Sequence, residues 1–213
     1  TDLAERFLGD TLEHAKLDPD FVERLPKEVT KGIEWMPKAT EIIDLLRVKE
    51  GAWKGRIRVP NAPMGDTICT EKSFRDSMKV LIDFPPFAGL SIDNLTKLMS
   101  NYWDAIADLC PMAFRFPKKH QIQRTTGIFV LHRLLPAAFE KVLKSSKDKR
   151  VTRKGFRDLL SQITDSSVGT GSGEKVFQDE YWSSVGTAGQ FGTSQKAFAL
   201  LYSRIFEGLR ALD

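Results

Sequence analysis

Cysteine and histidine are scarce in this chain: two cysteines, Cys69 and Cys110, and three histidines, His14, His120 and His132, among 213 residues. No C-x-x-C or H-E-x-x-H spacing occurs, so the common zinc arrangements are excluded and no metal or other cofactor is expected. The two cysteines are far apart in sequence, give no disulfide framework, and read as buried thiols in a reducing compartment. Long apolar runs are also missing. Nothing is long enough to span a bilayer, and no charged n-region followed by an apolar h-region marks a leader, which points to a cytoplasmic protein with no membrane partner. The chain opens TDLAERFLGD, without an initiator Met and with an amphipathic pattern already under way, as expected of the C-terminal part of a longer protein. Charge of one sign is not in excess overall: 32 Lys and Arg stand against 28 Asp and Glu, net +4, so any argument for an anionic partner must come from local clustering.

What is present is helical periodicity. Leu3, Phe7, Leu8 and Leu12 recur at helical spacing after Asp2, and Ala39, Ile42, Ile43, Leu45 and Leu46 form a second apolar face, with Pro26 and Pro37 interrupting the stretch between. WKGRIRVPNAPMG alternates apolar and polar residues before a Pro- and Gly-bearing turn, which predicts one short strand or hairpin near residues 53–60. Helices are predicted after Thr70, in EKSFRDSMKVLID, and after Ser91, where Leu95, Leu98, Met99, Tyr102, Ile106 and Leu109 share a face that ends at Pro111. RTTGIFVLHRLLPAAFEKVLKSS is apolar on nearly all sides and predicts a central buried helix, bent or broken at Pro136. Thr152 is placed to cap a short helix carrying Phe156, Leu159, Leu160 and Ile163. TDSSVGTGSGEK has the composition of a mobile loop, residues 165–174, and a last helix carries Phe198, Leu201, Ile205 and Leu209. The fold class is therefore mainly α, a single helical domain over residues 1–213 around that central helix.

Three stretches invite a functional reading. YWSSVGTAGQFGTSQKAF places Gly186, Gly189 and Gly192 before Thr193 and Ser194. A phosphate-binding loop needs G-x-x-x-x-G-K-[ST] after a buried strand; neither condition is met. What is left is a helix start at which Gly189, Gly192, Thr193, Ser194 and Lys196 would hold an anion, or else a glycine turn into a capped helix. The second stretch, KVLKSSKDKRVTRKGFR, carries Lys144, Lys147, Lys149, Arg150, Arg153, Lys154 and Arg157, with Lys141, against one acid, Asp148. With RFPKKHQIQR, residues 115–124, it predicts a positive surface able to release counterions from a DNA backbone; the bland alternative is a solvated helix end. The third stretch concerns catalysis. The histidines are scattered, no G-x-S-x-G elbow or carboxylate dyad occurs, and His132 in the most apolar helix reads as a packed residue, so no catalytic residue is assigned.

The order of IIDLLRVKEGAWKGRIRVP, TICTEKSFRDSMKVL, LMSNYWDAIADLCPMAF, QRTTGIFVLHRLLPAAF and the W…G…G…G-x-S-x-K-A run resembles the C-terminal half of the DGQHR-domain family, which includes DndB-like proteins associated with DNA phosphorothioate modification. The resemblance spans roughly residues 40 to 205; its most specific pieces are Asn101-Tyr102-Trp103 with Ala105-Ile106, Thr126-Gly127-Ile128, and the glycine run with Lys196. The naming motif Asp-Gly-Gln-His-Arg is absent from this sequence; in the family it lies upstream, in a ParB-like α/β portion. The resemblance implies bacterial DNA-modification or phage-defence biology with a DNA-binding, transcription-regulating role, and a partner in that N-terminal half or another subunit. Two alternatives stay open: a nucleotide-binding or hydrolysing enzyme whose catalytic half lies outside this chain, and a protein-interaction or oligomerisation module using Leu3, Phe7 and Leu12.

Overall fold

The computed structural model describes residues 34–63, 65–166 and 173–212. The predicted first helix, with Leu3, Phe7, Leu8 and Leu12, lies outside them. Among the described residues are nine α-helices: α1 Trp35–Val48, α2 Glu71–Ile82, α3 Pro85–Ala88, α4 Ile92–Leu109, α5 Pro111–Arg115, α6 Thr125–Ser145, α7 Arg153–Leu160, α8 Asp179–Trp182 and α9 Gln195–Arg210. The fold is mainly α. Single 3-10 turns occupy Pro117–Lys119 and Ala188–Gln190.

The caps explain the boundaries. Thr70, Ser91, Thr152 and Ser194 each accept a hydrogen bond from the backbone N–H three residues on, which satisfies one of the amides that a helix start leaves without an intrahelical partner. Pro37 does not interrupt α1 because it falls in its first turn, where no intrahelical N–H is required. Pro136 does not break α6 either: the helix runs unbroken from Thr125 to Ser145. Its ring removes the bond to the His132 carbonyl, but Leu134, Leu135 and Ala138 around it are fully buried, and that packing holds the helix together.

The predicted strand is real but shorter, and it does not form a hairpin. Ile57–Arg58, β1, pairs in parallel with Cys69–Thr70, β2, with Ile57 opposite Cys69 and Arg58 opposite Thr70. Residues before Ile57 are consumed by turns, in which Gly55 N–H donates to Arg47 O at 3.0 Å and Arg56 N–H to Trp53 O at 3.0 Å. Pro60 and Pro63 follow the strand, and prolines have no N–H with which to build an antiparallel return.

α6 is the central element, packing against α2, α7 and α9, while α4 packs against α1 and α7. The buried apolar residues of these elements form one cluster. At its middle lies an aromatic lattice: Trp53 meets Phe74 and Trp103 edge-on at 4.7 and 4.8 Å, and His132 meets Phe74 and Trp103 edge-on at 4.9 and 5.5 Å. The two ends of the predicted 165–174 loop are held. Asp165 N–H donates to Glu174 O at 2.8 Å, and the buried Asp165 carboxylate accepts from Tyr181 Oη at 2.7 Å and Arg204 Nε at 2.9 Å. Residues 167–172 lie outside the described part. Among the described residues no helix is long and apolar enough to cross a membrane.

Candidate nucleic-acid interface

The basic segment begins in the last turn of α6 with Lys144 and passes through a tight reversal into α7. Lys149 N–H donates to Ser146 O at 3.3 Å and Arg150 N–H to Ser146 Oγ at 3.1 Å, so Ser146 organises the turn. Lys149 adopts φ +53°, a left-handed conformation that few non-glycine residues take. The consequence is a fixed turn from which Lys147, Lys149 and Arg150 project into solvent, with exposed Lys144 just before it. No ion pair of Lys144, Lys147, Lys149 or Arg150 occurs among the described residues.

The other three predicted contacts are arranged differently. The Arg153 guanidinium forks onto the Asp108 carboxylate at the end of α4, with Nε to Oδ2 at 2.8 Å and a second bond from Nη2, and this hydrogen bonding holds Asp108 below the usual carboxylate range. Lys154 pairs with Asp158 one turn on, and Arg157 Nη2 lies 3.7 Å from the same carboxylate. The bond from Lys154 lowers the Asp158 pKa. Asp158 sits one residue beyond the basic stretch and Asp108 lies 45 positions from its partner, so a count of charges within the stretch misses both. Between the end of α6 and α7 lies a groove of about 620 Å³, walled by Lys141, Ser145, Arg150, Thr152, Lys154 and Asp158 among others.

The second basic segment sits around the start of α6, where Arg124 lies against Lys118. Residues 115–124 lead into α6 and residues 144–150 leave it, so the 21-residue helix sets Arg124 and Lys144 about 30 Å apart along its axis, at about 1.5 Å per residue. Arg124 is partly engaged, donating to Lys118 O at 2.8 Å. Arg115, Lys118 and Lys119 line one cleft with exposed Phe116. Arg56, which sequence reading did not single out, joins them from the turn before β1.

The glycine stretch resolves into two roles. A Cβ on Gly186 would stand 1.9 Å from Glu180 O, and one on Gly189 would stand 2.4 Å from Ser184 O, so both are glycine because backbone passes against backbone. The Gly189 amide donates to Gly186 O at 3.0 Å, which takes it out of the predicted anion site. Gly192, Thr193, Ser194 and Lys196 do gather, exposed, at the start of α9, where the Ser194 hydroxyl accepts from Ala197 N–H at 3.2 Å.

His14 lies outside the described residues, and His120 Nδ1 is 2.9 Å from Phe116 O. His132 is fully buried and committed to structure. Its Nε2 accepts from Trp103 Nε1 at 3.1 Å, which leaves the proton on Nδ1 to be donated to Ser77 Oγ at 2.7 Å; that hydroxyl donates onward to Phe74 O at 2.6 Å. Burial lowers its pKa to about 3. The Cys69 and Cys110 thiols are buried as expected, and burial raises both, Cys69 to about 12. Among the described residues no group of three or more His, Cys, Asp or Glu side chains is placed to hold a metal ion. Compared with protein-family models, curated proteins and solved structures, the chain matches none, and its function is therefore read from its residues and their geometry.

Proposed function

We propose that this chain is a DNA-binding, regulatory component of a bacterial DNA-modification or phage-defence system that grips the DNA backbone through the turn between α6 and α7. The observation that carries this reading is the set of exposed cations, Lys144, Lys147, Lys149 and Arg150, with no acidic partner among the described residues and with a backbone fixed by Ser146 and Thr152. A cation already neutralised by a carboxylate must give up that pair before it can bind phosphate; these four need not. Arg153, Lys154 and Arg157 then support the turn, with Lys154 at the rim of the groove. Backbone contacts of this kind supply affinity and register without base specificity. The start of α9, with Lys196 beside Gly192, Thr193 and Ser194, adds a further anion contact in this proposal. The resemblance to DGQHR-domain proteins supplies the biological setting: a cytoplasmic protein partnered by an N-terminal ParB-like half or by another subunit.

The test is fluorescence anisotropy of a labelled duplex titrated across salt concentrations. Four phosphate contacts predict a slope of log K against log salt of about −3.6, since each released counterion contributes about −0.9. The triple variant K147E/K149E/R150E is expected to weaken binding about a hundred-fold or more at moderate salt while leaving the melting temperature within a few degrees, because the replaced groups are exposed and unpaired. A slope near zero, or a variant that binds like the parent chain, would overturn the proposal.

A further inference from the structure

At the other end of α6 a cleft of about 400 Å³ is lined by Arg56, Ile68, Arg115, Phe116, Lys118 and Lys119, with Pro117 and Asp66 completing the wall. Four cations face one acid there, and that acid, fully exposed Asp66, approaches Lys118 only to 3.8 Å. Phe116 is a large apolar side chain left 41% exposed. Arg115 and Lys119 stand over its ring at 5.4 and 5.9 Å from the centroid.

The platform is rigid. Phe116 N–H donates to Met112 O at 2.8 Å, Phe116 O accepts from Lys119 N–H at 3.0 Å, and buried Pro117 fixes the next residue. Ser184 N–H donates to Lys119 O at 2.9 Å, and Gln121 N–H donates to Trp182 O at 2.7 Å, so the segment is clamped onto α8. Arg56 is steered into the cleft wall by its bond to Phe114 O at 3.2 Å. An exposed aromatic ring on hydrogen-bonded backbone, with two exposed cations over it and two more in the wall, in a cleft within the size range of small-ligand sites, matches the needs of a nucleotide: the base stacks on the ring in place of the Arg115 and Lys119 side chains, and the phosphate meets the cations. A duplex, whose bases are stacked inside, offers only its phosphates to such a site.

We propose that this cleft binds a single unpaired nucleotide, its base on Phe116 and its phosphate on Arg56, Lys118 and Lys119. The assignment deepens the nucleic-acid reading above but uses different residues at the opposite end of α6, so the two can fail separately. The nucleotide belongs either to a single strand or to a free nucleotide pool, and the same experiment separates these sources.

The measurement is anisotropy of a labelled single-stranded octamer, competed with dAMP and with inorganic phosphate. F116A is expected to weaken single-strand binding about ten-fold or more, the size of a lost base–aromatic stack, with F116W retaining it. K118E/K119E should weaken it comparably, whereas K149E/R150E should weaken duplex binding much more than single-strand binding. Competition by dAMP assigns the site to free nucleotides; absence of dAMP competition alongside F116A sensitivity assigns it to a strand. Single-strand binding unchanged in F116A, with an unchanged melting temperature, overturns the proposal. So does competition by phosphate equal to that by dAMP, which would leave a plain anion cleft.

Discussion

Trp103→Ala is expected to destabilise the fold by about 3–5 kcal/mol, the range for removing a fully buried large aromatic side chain, and Trp103 is 0% exposed. Against a total stability of about 5–15 kcal/mol for a typical domain, that loss removes a large fraction of what holds the chain folded. Two effects add. The cavity forfeits edge-on contacts with Trp53 and His132, and the His132 Nε2 acceptor loses its donor in a dry interior. Urea denaturation of the parent, Trp103→Ala and Trp103→Phe separates them. Phenylalanine keeps much of the volume and should recover most of the loss, leaving about 1–3 kcal/mol for the missing donor. A loss below about 1 kcal/mol in Trp103→Ala would show that this lattice is not the centre of the core.

The second large effect is acid sensitivity from His132. Its folded pKa is lowered from 6.5 to about 3, because burial penalises the charged ring and both nitrogens are already committed. The unfolded chain takes up this proton as pH falls through 6.5, whereas the folded chain refuses it until about pH 3. Stability from this group is therefore complete above pH 6.5 and falls below it, by about 1.4 kcal/mol for each pH unit once the unfolded side chain is fully charged. Between pH 6.5 and 5, above the usual carboxylate range, the loss should reach about 1–2 kcal/mol. His132→Gln, less stable at every pH, should lose that slope. A parent stability that is flat from pH 7 to 5, measured by denaturant midpoint, would contradict the buried neutral imidazole.

Much of the helical frame was legible because its signals are local. Thr70, Ser91, Thr152 and Ser194 stand at the heads of amphipathic runs, and each does cap its helix. The unbroken passage through Pro136 was not legible, since what holds α6 together there is packing from distant elements rather than anything in the helix sequence. Nor was the parallel pairing of Ile57–Arg58 with Cys69–Thr70, whose partner strand is two residues long and carries no pattern. In the basic stretch the residue types were visible, but their pairing was not: only the folded chain brings Asp108 to Arg153. Phe116 and three of its four cations lie in RFPKK, where the aromatic residue between the cations was the available signal; Arg56 is brought in only by the fold. Gly186 and Gly189 looked like loop glycines because close backbone approach leaves no mark in sequence except the absence of a side chain.

The aromatic lattice also bears on how the chain reaches this state. Trp53, Phe74, Trp103 and His132 are spread over 80 positions from first to last, so the centre of the core closes only after several long loops have closed, which slows folding relative to a bundle built from neighbouring helices. Once closed, it cannot open piecemeal, because each ring touches another that belongs to a different segment. Backbone amides of α4 around Trp103 and of α6 around His132 should therefore exchange with solvent deuterium only through global unfolding, while the Lys147–Arg150 turn exchanges orders of magnitude sooner. Contacts made at the surface proposed to meet DNA would then leave the interior undisturbed.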